Sequence, residues 1–255
     1  MKRLAAGSLV LGVALAGSAG AGLQAARPAQ ATRVAAGTAT ELVAALQKKY
    51  DTVKDFSADF EHVYTGGVLR KQLTERGKLL IKKPGKMRWE YTAPEKKTFV
   101  SDSVRLYSYL PSDKQVIVSR VPSGDQAATP ALFLAGQGNL TRDFNATEVA
   151  PPRASGSGAR SLKLVPKVPQ AEFESLVLTI DGSTLGLRGL ESVDAQGGTS
   201  SFLFINLKEN VGLGDKEFTF SIPRGVDVVT DEPAAPGRPA PFRGQYRAVR
   251  PPSNS

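Results

Sequence analysis

Residues 77–92 read GKLLIKKPGKMRWEYT, and this stretch predicts a β-hairpin with one apolar face and one charged face. The apolar run at 79–81 favours a strand. The Pro-Gly pair at 84–85 favours a turn, because proline fixes φ and glycine accepts a positive φ. Beyond the turn, large apolar residues alternate with charged ones. Alternate residues of a strand point to opposite faces, so one face carries Met87, Trp89 and Tyr91.

Several short motifs occur in a definite order and spacing around this hairpin. In chain order they are Gly77, KKPG at 82–85, MRWEY at 87–91, Pro94, FVSD at 99–102 and LYSYLP at 106–111. In order and spacing they resemble the LolA family, the periplasmic carriers of outer-membrane lipoproteins. The resemblance is tightest from residue 55 to residue 136 and extends more loosely to residue 229. None of these motifs is a catalytic fingerprint. The specificity of the resemblance therefore comes from the order and spacing of all of them together.

The first 31 residues have the pattern of a secretory signal peptide. A basic start at Lys2 and Arg3 precedes an uncharged apolar run at 4–16, and candidate cleavage motifs of small residues follow at 19–21 and 29–31. The run is shorter than the ~18 apolar residues that a membrane-spanning helix needs. We therefore expect residues 1–31 to be removed on export to the periplasm; a short amphipathic helix of the mature protein is the alternative.

Composition excludes several classes of site. The chain has no cysteine, so it can carry no acylated-cysteine anchor, no disulfide and no thiolate metal site. The net charge is +9, and without Lys2, Arg3 and Arg27 of residues 1–31 it is +6 (9 − 3). Nucleic-acid binders usually concentrate more positive charge on one face, so we expect no nucleic-acid partner.

One long helix and a series of strands are predicted for a domain at 32–230. Thr38 and Glu41 have the spacing of a capping box. The apolar residues that follow at helical spacing are Leu42, Val43, Leu46, Tyr50 and Val53. About eleven strands follow at the short, regular spacing of an antiparallel sheet. They are expected near 56–64, 68–83, 87–91, 97–101, 104–110, 115–121, 142–150, 160–166, 172–180, 184–193 and 199–209. A last short strand is expected at 218–222, and the Pro- and Arg-rich tail at 231–255 is expected to be disordered.

The predicted fold class is mainly β (α+β). An apolar sheet face must be buried, and two arrangements achieve this. One is a sandwich of two sheets. The other is a single curved sheet, an unclosed antiparallel β-barrel, wrapped around the long N-terminal helix and a short lid helix at 130–136. Two such small elements cannot fill a concave face, so the second arrangement leaves an apolar cavity. The resemblance implies this fold, whereas periodicity alone leaves the sandwich open.

The resemblance also implies which residues form the cavity and its lid. Strand 87–91 matches a cavity-lining strand of the family, Phe56 and Phe60 point the same way, and 131–134 matches the lid. The predicted lipid-binding residues are Phe56, Phe60, Met87, Trp89, Tyr91, Leu132, Phe133 and Leu134. For each of them an ordinary core residue is the alternative, and for the lid a packed loop.

Gating and release are predicted for basic residues near the turn. Family members usually carry arginine at the position of Lys83, where it is tied to holding the lid closed. Lysine keeps the charge but loses the planar five-donor fork, so Arg88 or Lys82 could share the role. An exposed turn lysine is the alternative.

His62, the only histidine, is expected to be a half-exposed surface residue. Ser103 stands where the family tends to have glycine.

The sequence lacks the motifs of nucleotide hydrolases, nucleophilic hydrolases and zinc proteases. With one histidine and no cysteine, most triads and zinc sites are unavailable, so we expect no enzyme, no cofactor and no metal. The resemblance implies a monomeric periplasmic carrier of acylated lipoproteins, loaded by an inner-membrane ABC transporter and unloaded at an outer-membrane receptor where one exists. A lipid-binding or envelope-stress sensing module of the same fold, which ferries no cargo, is the alternative. A β-rich secreted hydrolase is a third hypothesis.

Overall fold

The long helix and most strands lie where the hydrophobic periodicity predicts them. The computed structural model describes residues 36–68, 70–121, 134–170 and 172–231. Helix α1 spans Ala36–Thr52, and a short helix, α2, spans Leu140–Asp143. The strands are β1 Asp55–Thr65, β2 Gln72–Lys82, β3 Lys86–Ala93, β4 Lys97–Asp102, β5 Arg105–Leu110, β6 Gln115–Arg120, β7 Phe144–Val149, β8 Ala159–Pro166, β9 Ser175–Asp181, β10 Leu187–Val193, β11 Thr199–Glu209 and β12 Asp227–Asp231.

All twelve of these strands belong to one open sheet, in the order β12-β6-β5-β4-β3-β2-β1-β11-β10-β9-β8-β7. Its strand pairs are antiparallel except β12–β6, which is parallel. The sheet is open because its two edge strands, β12 and β7, are not paired with each other. The prediction of one unclosed, mainly antiparallel sheet with a long N-terminal helix is therefore confirmed. The sandwich of two sheets is wrong.

The C-terminal part of the sheet differs from the prediction. Residues 218–222 are not a strand, because a 3₁₀ helix spans Asp215–Phe218 and the chain then continues outside the sheet to residue 226. Phe218 is buried, so this apolar piece packs through its side chain instead of pairing through its backbone. Strand β12 was missed, and its last residue, Asp231, is the first residue of the segment that was predicted to be disordered.

One face of the sheet, the inner face, packs against α1. The helix buries Ala39, Leu42, Val43 and Leu46, which follow the 3.6-residue period of an amphipathic helix. These residues form one hydrophobic cluster with inward-facing residues of strands on both sides of β1. The candidate site lies in this cluster.

The opposite, outer face carries a second, smaller core. Residues 211–222, which we call the C-terminal strap, follow β11 and pack there. Val100 and Val116 are fully buried on this face. The rings of Tyr107 and Tyr109 pack on Phe220 of the strap, with centroids 5.4 and 5.9 Å apart. The strap thus buries apolar residues that a bare sheet would expose.

Several sequence predictions lie outside the described residues. They are the signal peptide at 1–31, the lid residues up to 133 and the tail beyond Asp231, and the domain boundaries drawn from them stay predictions. The described ranges all belong to the unit of the chain that begins at Val34. Within them, no helix combines the length and apolar character needed to cross a membrane.

Candidate functional site

The predicted cavity residues of β1 and β3 pack against one another on the inner face. Phe60 meets Trp89 and Tyr91 edge to face, with ring centroids 5.2 and 4.9 Å apart, a geometry that aromatic pairs prefer. Met87 is buried beside them in the same cluster. Phe202 of β11 completes this group at 5.1 Å from Trp89, and the sequence did not single it out.

Gly77 makes the close packing of this aromatic group possible. A Cβ atom at this position would lie 2.1 Å from the carbonyl oxygen of Glu90 and 2.6 Å from Cζ of Phe60. Such distances are far below van der Waals contact. The first motif residue is therefore glycine because the backbone of β3 and the Phe60 ring both press against it.

A small apolar pocket lies between the C-terminal half of α1 and strands β9–β11. Phe56 and Leu134 of the predicted cavity set line it. The other apolar residues in its lining are Leu46, Val53, Leu140, Leu178, Leu185, Leu187 and Leu207. Lys49 and Glu209 form an ion pair in the same lining. The cavity volume is about 30 Å³, room for roughly two water-sized spheres, so this pocket is too small to hold an acyl chain as it stands.

Residues 134–140, which we call the closing segment, cover this pocket. Leu134 and Leu140 are both 1% exposed and line the pocket, and Ala135 is fully buried. Hydrogen bonds from α1 and from the β2–β3 turn hold the segment. They join Tyr50 Oη to the Leu134 carbonyl, Gly85 N to the Ala135 carbonyl (2.9 Å) and Leu140 N to Gln47 Oε1 (2.7 Å).

Lys83 lies where α1, the β2–β3 turn and the closing segment meet. Its Nζ donates to the Tyr50 carbonyl at 2.5 Å and lies 3.2 Å from the centroid of the Tyr50 ring. Its methylenes contact Gly136 so closely that a Cβ atom there would lie 2.8 Å from Lys83 Cδ. Burial lowers the pKa of Lys83 to about 8, and the carboxylates of Asp51 and Glu209 oppose part of this shift. Lys83 is thus packed against the closing segment, and its gating role stays a prediction.

Tyr50 is a functional candidate that the sequence did not reveal. Its helical spacing assigned it only to the apolar face of α1. In the structure its ring lines the pocket while its hydroxyl donates to the closing segment. Burial, followed by the negative charge of Glu209, raises the pKa of Tyr50 well above its usual range, so the phenol stays a donor. The signal that could have found it is a tyrosine on an otherwise aliphatic helix face.

Arg88 and Lys82 lie on the outer face and hold the C-terminal strap. Arg88 Nη1 donates to the carbonyl oxygens of Glu217 and Thr219 at 3.1 and 3.4 Å. Lys82 Nζ pairs with Asp215 at 2.7 Å. Among the described residues, the side-chain hydrogen bonds of Lys82 and Arg88 go to the strap and to Glu90, and none goes to the closing segment. A gating role for Arg88 stays a prediction, and its observed contacts indicate a different one.

The predicted lid residues fall on both sides of the described boundary. Leu132 and Phe133 lie outside the described residues, so their assignment stays a prediction. Leu134 is described, and it is buried over the pocket at the start of the closing segment.

The prediction for His62 is wrong, because this residue is completely buried on the inner face. Its Nδ1 lies 3.4 Å from Glu75 Oε2, and its Nε2 lies 2.7 Å from Ser200 Oγ. Glu75 also pairs with Lys97 at 2.5 Å. Burial raises the pKa of Glu75, but the hydrogen bonds and charges of His62 and Lys97 outweigh it and leave that pKa below its usual value. These partners make a polar residue tolerable on an apolar face. Across the described ranges, no three imidazole or carboxylate side chains converge on a metal site.

Residues 51–221 match the family model of the outer membrane lipoprotein carrier protein LolA. The chain belongs to the LolA family. The matched range includes the aromatic group, Lys83 and the closing segment, and it begins one residue after Tyr50. The resemblance predicted from the motifs at 77–111 is therefore confirmed.

Relatives of this LolA family member match over most of their length. The outer-membrane lipoprotein carrier protein of Chromohalobacter salexigens is 34% identical over 182 residues, 71% of this chain and 83% of that protein. The carrier protein of Methylococcus capsulatus is 30% identical over 187 residues, 73% of this chain and 86% of that protein. A LolA superfamily protein from Nitrosomonas europaea superposes with a TM-score of 0.39 at 15% identity, covering 70% of this chain and 97% of that chain. An uncharacterized conserved protein from Thermus thermophilus superposes with a TM-score of 0.46 at 14% identity, covering 75% and 98%.

Proposed function

We propose that this protein is a periplasmic carrier that binds the acyl chains of lipoproteins and delivers them to the outer membrane. Family membership supports the cargo class. The observation that carries the mechanism is an apolar pocket under a segment held by a few hydrogen bonds. Such a segment can move without unfolding the sheet, because its bonds are separate from the strand pairing.

The energy of acyl transfer explains why a protein is needed. Each methylene that moves from water into an apolar site gains about 0.8 kcal/mol. A lipoprotein with several long chains would therefore face a penalty on the order of tens of kcal/mol in water. A carrier that shields the chains removes most of this penalty, and its binding must stay reversible so that the cargo can leave.

The pocket must enlarge to hold a chain, and we propose that it extends along the inner face toward the aromatic group. Phe56 and Leu134 already line the pocket. Trp89 supports an extension, because its Nε1 is buried without a hydrogen-bond partner among the described residues. A buried tryptophan N–H usually finds a partner. An acyl ester or amide carbonyl could accept from it in the loaded form.

Partners and location follow from the proposed cargo. We propose that the signal peptide at 1–31 directs export, that an inner-membrane ABC transporter supplies the energy for loading, and that an outer-membrane receptor accepts the cargo where one exists. Lys83 would set how readily the closing segment moves, because it joins α1 to the β2–β3 turn and packs on Gly136.

Native mass spectrometry tests this function. The protein from residue 32 onward is incubated with a triacylated lipoprotein and, as the control, with its unacylated form. A one-to-one complex with the acylated form alone is expected. Binding of free fatty acid or phospholipid, but not of the lipoprotein, would support the sensing or lipid-binding alternative instead. The absence of any complex would contradict both.

A further inference from the structure

Tyr50 belongs both to the wall of the pocket and to the fastening of the closing segment. Its ring lines the pocket beside Leu134, and its hydroxyl donates to the carbonyl oxygen of that same residue. Its own carbonyl accepts from Lys83 Nζ. One side chain therefore contacts the space that a ligand would fill and the segment that covers this space.

Because the pocket is small, a ligand cannot enter it without disturbing either the Tyr50 ring or the closing segment that its hydroxyl holds. A cavity of about 30 Å³ cannot admit an alkyl chain unless part of its wall moves. Strands β9–β11 form one side of the wall, and their ladders of backbone hydrogen bonds fix that side. On the other side, the Tyr50 ring and the closing segment are held by individual hydrogen bonds. This second side is the one that can yield.

We propose that Tyr50 couples occupation of the pocket to release of the closing segment. An entering acyl chain displaces the Tyr50 ring, and the displacement breaks the hydrogen bond from its hydroxyl to Leu134. This inference rests on the proposed function, because it takes the acyl chain as the ligand. Coupling is reciprocal, so a bond that exists in the empty form alone opposes binding by the free energy it contributes.

The substitution Tyr50→Phe tests the coupling, because it keeps the ring in the pocket wall and removes the hydroxyl. The probe is a synthetic triacylated lipopeptide with a fluorophore on its peptide end. The variant is expected to bind it about two- to ten-fold more tightly, the range that a typical hydrogen bond represents. The loading rate should rise by a similar factor while the dissociation rate stays unchanged, because the loaded form already lacks this bond.

A second readout follows the closing segment directly. Amide hydrogen exchange at 135–140 should be faster in unloaded Tyr50→Phe than in the unloaded wild type, and it should be equal in the two loaded proteins. Tyr109→Phe is the matched control, because it removes a tyrosine hydroxyl on the outer face against Phe220. This control should leave affinity, rates and exchange at 135–140 unchanged.

Other outcomes separate this inference from the proposed function. Unchanged affinity of Tyr50→Phe would overturn the coupling, because the bond would then persist in the loaded form. Weaker binding would also overturn it and would indicate that the hydroxyl donates to the ligand. If the wild-type protein does not bind the lipopeptide at all, the proposed function itself is wrong.

Discussion

Lys82 and Lys83 are adjacent in sequence but act on opposite sides of the sheet. Lys82 ends β2 and reaches the strap on the outer face, whereas Lys83 begins the turn and reaches Tyr50 under the inner face. The residue type is the same, so position at the strand end decides which basic group contacts the closing segment. Glycine is selected by position in the same way, since Gly77 and Gly136 both lie where a side chain would collide with a neighbour.

The lowered pKa of Lys83 predicts a pH dependence of stability. Folded Lys83 releases its proton near pH 8, whereas an unburied lysine releases it near 10.5. Between these values the unfolded state binds more protons, so the free energy of unfolding gains a term that rises with pH. Lys83→Arg should abolish this term because arginine stays charged. Urea denaturation from pH 7 to 10.5 measures it, with exposed Lys78→Arg as the control. Parallel pH profiles of wild type and Lys83→Arg would contradict the assignment.

The crowding around Gly77 predicts a loss of stability in Gly77→Ala. Its Cβ would overlap the Glu90 carbonyl oxygen and the Phe60 ring, and such overpacking typically costs about 1–3 kcal/mol. Urea denaturation measures the change in the free energy of unfolding. Gly214→Ala is the matched control, because a Cβ atom there meets nothing within 4 Å. Equal stability of the two variants would show that β3 and Phe60 can shift without cost.

Among the described elements, the β2–β3 hairpin contacts both the closing segment on the inner face of the sheet and the strap on its outer face. Its turn donates to the closing segment through Gly85, and its strands hold the strap through Lys82 and Arg88. Helix α1 complements it on the inner face, because Gln47 and Tyr50 lie three residues apart and reach the same segment. Residues three apart share one face of a helix, so a single helix face makes both contacts.

The contacts of Arg88 predict a structural role without an effect on loading. Arg88→Leu removes donors to two strap carbonyls and to Glu90. Because the side chain is partly exposed, the free energy of unfolding should fall by about 1 kcal/mol. Proteolysis within 211–222 should become faster, and lipopeptide loading should stay unchanged. Exposed Arg105→Leu is the control. Altered loading in Arg88→Leu, with normal loading in Arg105→Leu, would instead support the gating role predicted from the sequence.

At the scale of the whole described unit, one open sheet serves two different packing demands. Its inner face holds α1, the aromatic group and the pocket, while its outer face is partly covered by the strap. An open sheet leaves two edges, and β12 covers one side of β6 by parallel pairing. The pocket thus lies against a sheet whose stability depends on many strand pairs. A local opening at the closing segment therefore leaves the strand pairing of the sheet intact.

Two C-terminal truncations test how far this unit extends. Deleting 232–255 should leave the melting temperature nearly unchanged, because the composition of this segment predicts no packed core. Deleting 227–255 also removes β12 from the edge of β6. This loss should lower the melting temperature by about 2–8 °C. At this chain length, each loss of about 1 kcal/mol in the free energy of unfolding lowers the melting temperature by a few degrees. Thermal unfolding of both proteins checks this, and a large drop with the shorter deletion would show that the tail is structured.

Local periodicity was sufficient to predict the helix, most strands and the side of β3 that is buried. The alternation of Met87, Trp89 and Tyr91 with charged residues specifies their shared face, because side-chain direction in a strand depends on the residue's own position. Phe56 and Phe60 follow from the same rule on β1. The family resemblance added the single open sheet, which periodicity could not distinguish from a sandwich.

The contacts that define the site depend on residues far apart in the chain. Tyr50 meets Leu134 across 84 positions, and His62 meets Ser200 across 138. No local pattern reveals either pairing, so Tyr50 was assigned to an ordinary helix face and His62 to the surface. The predicted lipid-binding residues are divided between the pocket, which has Phe56 and Leu134, and the aromatic group, which has Phe60, Trp89 and Tyr91. This division also depends on contacts between residues far apart in the chain. A periodic pattern specifies which face is apolar, whereas the folding of the sheet around α1 determines which apolar residues enclose a space.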